Sequence, residues 1–207
     1  MMKRYFITGI GTDIGKTIVS AILVEALKAD YWKPVQSGDL HQTDTMKVQG
    51  LISNSTSHFF PEAYRLTEPM SPHAAAAIDG VTINLDSIKV PPTSNNLIIE
   101  GAGGLMVPLN GDSLGIDLIE KLKAEVILVS RNYLGSINHT LLSVEALQSR
   151  NIPIKGIIFN GNPVNSSEKF ICEYTGLKSL FRIDNEQTVD KQTILKYASE
   201  PNIKSLF

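Results

Sequence analysis

Nine residues near the N-terminus constrain this chain more than any other stretch. Residues 9–17 read GIGTDIGKT and follow an apolar, strand-forming run, Tyr5-Phe6-Ile7-Thr8, set behind the basic pair Lys3 and Arg4. A strand delivered into a glycine-rich turn, with Gly-Lys-Thr opening a helix, aims backbone N–H groups and the positive end of a helix dipole at one point. Polyphosphate suits that point: Lys16 is placed to reach the β- and γ-phosphates, and the Thr17 hydroxyl to take a Mg²⁺ position. The glycines are Gly9, Gly11 and Gly15, with Ile10 where the commonest pattern has glycine, so this turn is one residue longer. A tight turn that bound nothing would need neither the lysine nor the threonine.

The rest of the chain must fold around that loop. Its 207 residues, 43% of them hydrophobic, suit one α/β domain over residues 1–207, burying about 70% of its extended-chain surface. A net charge of −2 without a continuous Lys/Arg face argues against a nucleic-acid partner. The single cysteine, Cys172, excludes an internal disulfide framework and a cysteine-based zinc site, and His41, His58, His73 and His139 lack metal-ligand spacing. With no signal-like start and no apolar run approaching about 18 residues, the chain is expected to be cytoplasmic and to have no membrane partner.

Taken in order, residues 14–28 carry helical apolar spacing, and residues 29–34 form a short strand that Pro34 ends. Lys33 and Ser37 then lie at a strand's carboxyl edge, where parallel sheets hold ligands. Thr43 caps a helix to residue 51 with Asp44 in its first turn, where the carboxylate serves either the helix dipole or a metal. Residues 53–72 are broken by Pro61, Pro69 and Pro72 and read as a long loop, extended at 64–66. Ser71-Pro72 opens a short helix to Ile78, and 85–90 suits another. Residues 96–100 form a strand buried on both faces, tipped by Glu100, with Gly101-Ala102-Gly103-Gly104 following as loop. A carboxylate there is placed to hold Mg²⁺.

Helices are predicted over 115–122, 135–150, 166–175 and 188–198, and strands over 124–129, 154–159 and 179–183. Asn160, after the fifth strand, serves either a purine edge or a turn. The alternation of strand and helix predicts a mostly parallel, doubly wound sheet with helices on both faces, in a P-loop nucleoside triphosphate hydrolase-like fold.

Several separate segments carry a family resemblance. KRYFITGIGTDIGKT, YWKPVQSG, the pair Thr43-Asp44, EPMSPHAAA, IIEGAGGLMVPL and LGSINHTLLS, in that order between Lys3 and Asn160, are similar to segments of the dethiobiotin synthetases, ATP-dependent cyclo-ligases of biotin synthesis. The resemblance implies a homodimer with active sites near its interface, each taking MgATP, 7,8-diaminononanoate and CO₂. It implies ring closure to dethiobiotin, ADP and phosphate through a carbamate and a carbamic–phosphoric anhydride. By the same match Gly11, Thr12, Asp13, Ile14, Gly15, Lys16, Thr17 and Asn160 would surround ATP, and Thr17, Asp44 and Glu100 would hold Mg²⁺. Lys16, Lys33, Thr12 and Ser37 would be catalytic, Ser37, Gly103 and Gly104 would border the diamine, and Gly135, Ser136 and Asn138 would hold its carboxylate end across the interface. Whether Tyr174 reaches the neighbouring site is left open.

The likeness thins beyond Asn160. Gly161 stands where the family continues an Asn-Asp pair, and Leu180-Phe181-Arg182-Ile183 lacks an expected proline, so a looser grip on adenine is expected. Two rival readings remain: another long-loop amide ligase, and a dimeric nucleotide switch of the partition type. The first normally carries a glutamine-hydrolysing domain for which 207 residues leave no room. The second would place another lysine early in the loop, where Gly9, Ile10 and Gly11 stand.

Overall fold

The computed structural model describes residues 2–207. The apolar run before the glycine-rich loop becomes β1 (Arg4–Gly9), buried from Tyr5 onward. It is followed by α1 (Lys16–Leu27), β2 (Asp30–Trp32), β3 (Val35–Ser37), α2 (Asp44–Leu51), β4 (Phe59–Phe60), β5 (Tyr64–Leu66) and α3 (Pro72–Ile78). After a 3₁₀ turn at Leu85–Ser87 come β6 (Leu97–Gly104), α4 (Gly115–Leu122), β7 (Glu125–Arg131), α5 (Ser136–Ser149), β8 (Ile154–Asn160), α6 (Asn165–Thr175), β9 (Ser179–Ile183), α7 (Lys191–Ala198) and α8 (Pro201–Leu206).

A seven-stranded sheet runs β4-β2-β6-β1-β7-β8-β9, and its pairings are parallel. From β1 the chain crosses over β6 to reach β2, and later returns to the other side of β1 as β7. The strand order therefore reverses at β1, and the glycine-rich loop leaves the sheet at that crevice, where doubly wound sheets bind ligands.

Successive strand residues face opposite sides, which gives the sheet two cores. Tyr5, Ile7, Tyr31, Ile98, Ile127 and Ile158 pack with Ile22 and Leu23 of α1 and with Ile194 of α7. Phe6, Trp32, Ile99 and Val126 pack on the other face with Ile116 and Ile119 of α4 and Leu147 of α5. Helices thus cover both faces, as the alternation predicts. Truncating a fully buried isoleucine such as Ile98 to alanine would cost about 2–5 kcal/mol.

Several boundaries differ from the sequence expectation for identifiable reasons. The predicted strand at 29–34 stops at Trp32, because Pro34 has no N–H to give a ladder. The chain resumes as β3, which leaves the main sheet and pairs in parallel with β5. The predicted loop at 53–72 contains β4, whose two residues pair with β2 at the sheet edge and are too few to show a period. Conversely, β6 continues through the glycines that read as loop. Gly104 pairs with Gly9, and a Cβ there would stand 3.2 Å from the Gly9 carbonyl oxygen. The 85–90 helix is only the 3₁₀ turn, and α8, which Pro201 opens as Pro72 opens α3, is absent from the sequence expectation. Among the described residues, no helix is long and apolar enough to cross a membrane.

Candidate active site

A cleft of about 1180 Å³ opens at the carboxyl ends of β1, β2 and β6. One wall is the phosphate-type loop. The helix predicted from residue 14 begins at Lys16, because Gly15 takes the left-handed conformation with φ +98° and turns the chain into α1. A Cβ on Gly15 would lie 2.2 Å from Asn160 Nδ2, so glycine is required for room as well as for φ. Asn160 Nδ2 donates to the Ile14 carbonyl at 2.8 Å, fastening the loop to the end of β8. The Ile14 side chain is buried in the core, while Thr12, Asp13, Gly15, Lys16 and Thr17 line the cleft. No acidic residue occupies the first turn of α1, so its dipole is left for an anion. Lys16 Nζ donates to the Gly11 carbonyl at 3.0 Å. Burial pushes its pKa down, and the charge of Glu100 works against that shift.

The facing wall concentrates charge. Glu100, 1% exposed, accepts from Thr17 Oγ1 on Oε1 at 2.9 Å and from the Tyr31 hydroxyl on Oε2 at 3.0 Å. Lys33 Nζ stands 2.8 Å from Asp44 Oδ2 and 3.4 Å from Glu100 Oε1. Burial alone would lower the Lys33 pKa, but the two carboxylates outweigh it and raise it. Asp44 moves the other way: burial opposes ionisation, and Lys33 and Lys47 hold its pKa below the usual value. Burial, reinforced by the Glu100 charge, lifts the Tyr31 phenol well above its ordinary pKa. Lys33 therefore stays cationic and Tyr31 stays a donor.

Local folding explains why these groups meet. Pro34 ends β2 immediately after Lys33, so the lysine sits at the strand tip. Thr43 Oγ1 caps α2 by accepting from Met46 N, and Gln36 Oε1 accepts from Asp44 N at 3.2 Å, which fixes the start of α2 against β3. The Ser37 hydroxyl, at the end of β3 in the cleft wall, is buried without a hydrogen-bond partner. An unpartnered buried hydroxyl is costly to keep unless a ligand meets it. Thr17, Asp44 and Glu100 supply hard oxygen donors on neighbouring elements, a set that suits Mg²⁺ sharing its shell with substrate phosphates. No group of three or more His, Cys, Asp or Glu side chains forms a closed metal cage among the described residues.

Comparison with known proteins gives the family. A family model described as an AAA domain matches residues 3–193. The ATP-dependent dethiobiotin synthetase BioD of Christiangramia forsetii is 56% identical over 200 residues, covering 97% of this chain and 96% of that protein. The chain belongs to the dethiobiotin synthetase family. The BioD of Cytophaga hutchinsonii is 53% identical, with 95% and 96% covered. Both alignments are too long to end at Asn160, where the resemblance read from the sequence stops. Among solved structures, the Pyrococcus furiosus cell division ATPase MinD superposes with a TM-score of 0.65 over the whole of both chains, at 14% identity. A ParA family ATPase from Chlorobium tepidum gives 0.60, also at 14% identity, over 100% of this chain and 97% of that one. At such identities the likeness concerns the P-loop fold alone.

Within this synthetase-family fold, not every expected site residue lines the cleft of a single chain. Gly103 does, and a Cβ on it would meet Val107. Gly104 instead packs on Gly9 and Gly11 behind the loop. Gly135, Ser136 and Asn138 lie at the start of α5, outside the cleft lining, with Gly135 in the left-handed conformation as its cap. Exposed Tyr133 and Leu134 precede them. Tyr174 is also exposed, stacked on Phe170 at 5.6 Å and away from the cleft. Sequence reasoning missed Tyr31, Gln36 and Lys47; an amide and a lysine on polar elements carry no pattern that marks them. Tyr31 is marked only by the fold, whose register sets it opposite Ile98 and so one β-period from Glu100.

Proposed function

We propose that this cleft carboxylates 7,8-diaminononanoate with CO₂ and closes the ring at the expense of ATP, giving dethiobiotin, ADP and phosphate. The observation that carries the reading is Lys33, buried between Asp44 and Glu100 across from Lys16, with the unpartnered Ser37 hydroxyl beside it. Phosphoryl transfer asks a protein for placed charge and aligned reactants more than for covalent help. Family membership supplies the substrates that fit such a cleft.

In this reading the N–H groups of residues 11–17 hold the phosphates, with Thr12 and Asp13 at the rim. Asn160 has its Nδ2 committed to the loop, so its carbonyl oxygen meets the purine. Thr17, Asp44 and Glu100 would hold Mg²⁺, which would neutralise phosphate charge when bound. One substrate amine adds to CO₂ and loses a proton, giving a carbamate. Its oxygen attacks the γ-phosphorus as the bond to ADP breaks, while Lys16 and Lys33 stabilise the charge that spreads over the transferring group. The second amine then attacks the carbonyl carbon of the anhydride, and phosphate leaves with the closing of the cyclic urea. Thr12, Ser37 and Gly103, with Gly104 behind, shape the diamine's slot. Gly135, Ser136 and Asn138 serve the carboxylate end of a diamine held by a second copy, which makes the working unit a homodimer. The enzyme acts in the cytoplasm.

The test mixes protein, MgATP, bicarbonate and 7,8-diaminononanoate and follows phosphate. Diamine-dependent release with a cyclic urea product is expected; slow release indifferent to the diamine would overturn the assignment in favour of a nucleotide switch.

A further inference from the structure

Tyr31 lies outside the cleft lining, yet its hydroxyl touches a carboxylate on which the proposed chemistry depends. Tyr31 is the middle residue of β2, fully buried, paired with Ile98 on β6 and with Phe59 on β4. Its ring faces the α1 side with Ile98. Glu100 is two residues beyond Ile98 and faces the same way, so the phenol reaches along the strand to Oε2 at 3.0 Å. Phenylalanine would satisfy the strand and the packing equally well. A hydroxyl in this place is tolerable only because it has an acceptor, here a carboxylate oxygen on the neighbouring strand.

We infer that Tyr31 is a positioning residue for Glu100, holding Oε2 so that Oε1 stays on Thr17 and faces the phosphate loop, not closed onto Lys33. The geometry is consistent with this: Lys33 Nζ sits 2.8 Å from Asp44 and reaches Glu100 Oε1 only at 3.4 Å, while Thr17 holds that oxygen at 2.9 Å and Tyr31 holds Oε2 at 3.0 Å. The carboxylate is thereby shared among three donors, one on α1 and two on β2 and its tip, and its rotation is fixed from behind. Without the phenol, Glu100 would turn toward Lys33, which would remove an oxygen from the metal position and a cation from the phosphate side together. The inference rests on the proposed role of Thr17 and Glu100 in holding Mg²⁺.

The test measures Mn²⁺ binding, by electron paramagnetic resonance, to the full chain complexed with a non-hydrolysable ATP analogue. Tyr31→Phe should weaken Mn²⁺ binding about tenfold, within the range for partners that orient metal ligands, with unchanged affinity for the analogue in chelator. Phe59→Leu disturbs the ring that Tyr31 packs against at 5.7 Å but keeps the hydroxyl, and should bind Mn²⁺ as the parent does. The Mg²⁺ concentration needed for half-maximal diamine-dependent turnover should rise in step for Tyr31→Phe alone. If Glu100→Gln loses Mn²⁺ while Tyr31→Phe binds it normally, the inference fails and the functional reading stands. Equal losses in Phe59→Leu and Tyr31→Phe would also overturn it, by tracing the effect to ring packing. If Glu100→Gln binds Mn²⁺ normally, the metal assignment and the inference fall together.

Discussion

The two sides of the phosphate loop are built on opposite plans. On the β2–β6 side, acidic and basic side chains are partnered by each other: Lys33 by Asp44 and Glu100, and Asp44 by Lys47 at 3.3 Å. On the β7–β9 side, the Arg182–Glu168 ion pair is itself tied to backbone at both ends. Arg182 donates to the Gly161 carbonyl at 2.6 Å and pairs with Glu168, which also accepts from Val164 N at 3.1 Å. Asn132 Nδ2 joins the Asn162 carbonyl at 3.0 Å to that same carboxylate. Side-chain partners exchange by rotating, whereas backbone partners are lost only by moving the loop. The first side is thus ready to trade its contacts for a ligand's, and the second is a frame that keeps the β8 turn still.

Removing a cation from the exchangeable side should do most harm. Lys16→Ala and Lys33→Ala should each lower diamine-dependent turnover several hundredfold, on the order of 4 kcal/mol of transition-state stabilisation. Steady-state kinetics on the purified variants would check this, and turnover near the parent's for either one would break the comparison on that side. Ser37→Ala should lower kcat about 10- to 100-fold, the loss of one hydrogen bond formed in a dry site, with the KM for ATP little changed.

The framing side should respond differently. Arg182→Ala should cost about 1–3 kcal/mol of stability, because Glu168 loses a charged partner, and should raise the KM for ATP while sparing kcat. A fall in kcat with an unchanged KM would show that both sides take part in the chemistry. Glu25 belongs to neither side and sharpens the contrast. It is buried on α1 and accepts from Lys28 Nζ, Ser53 N, Asn54 N and Asn54 Nδ2. Burial would raise its pKa, but those donors together bring it from 4.5 to about 2. Its stabilisation is therefore present above pH 4.5 and lost as pH falls through about 2. Glu25→Gln should lower thermal stability at neutral pH by about 1 kcal/mol, with the two melting curves converging toward pH 2 and kcat unaffected.

The same contrast governs what could be read from residues alone. The phosphate loop, Lys33, Asp44 and Glu100 were legible because each combines a chemically distinctive side chain with a strand tip or helix start. The sheet's central strands were legible from unbroken apolar runs. The framing network was not, since Arg182, Glu168 and Asn132 sit on three elements far apart in sequence and only folding brings them together. Tyr31 falls inside the strand predicted over 29–34, and nothing in the residues alone gives its hydroxyl a partner. Strand β4 and the glycine-rich end of β6 escaped because two residues show no period and glycines show no side-chain pattern; both are held by backbone pairing to a neighbour already in place.

Gly15 and Asn160 share one volume, and that bears on how this loop tolerates change. An alanine at 15 would meet two separate penalties, collision with the amide and a backbone torsion of +98° that disfavours any side chain. Shortening Asn160 relieves only the first, and it also releases the Ile14 carbonyl. Alanine at both positions would therefore keep the torsional strain and lose the bond, so the phosphate loop and the β8 turn answer to each other through one side chain.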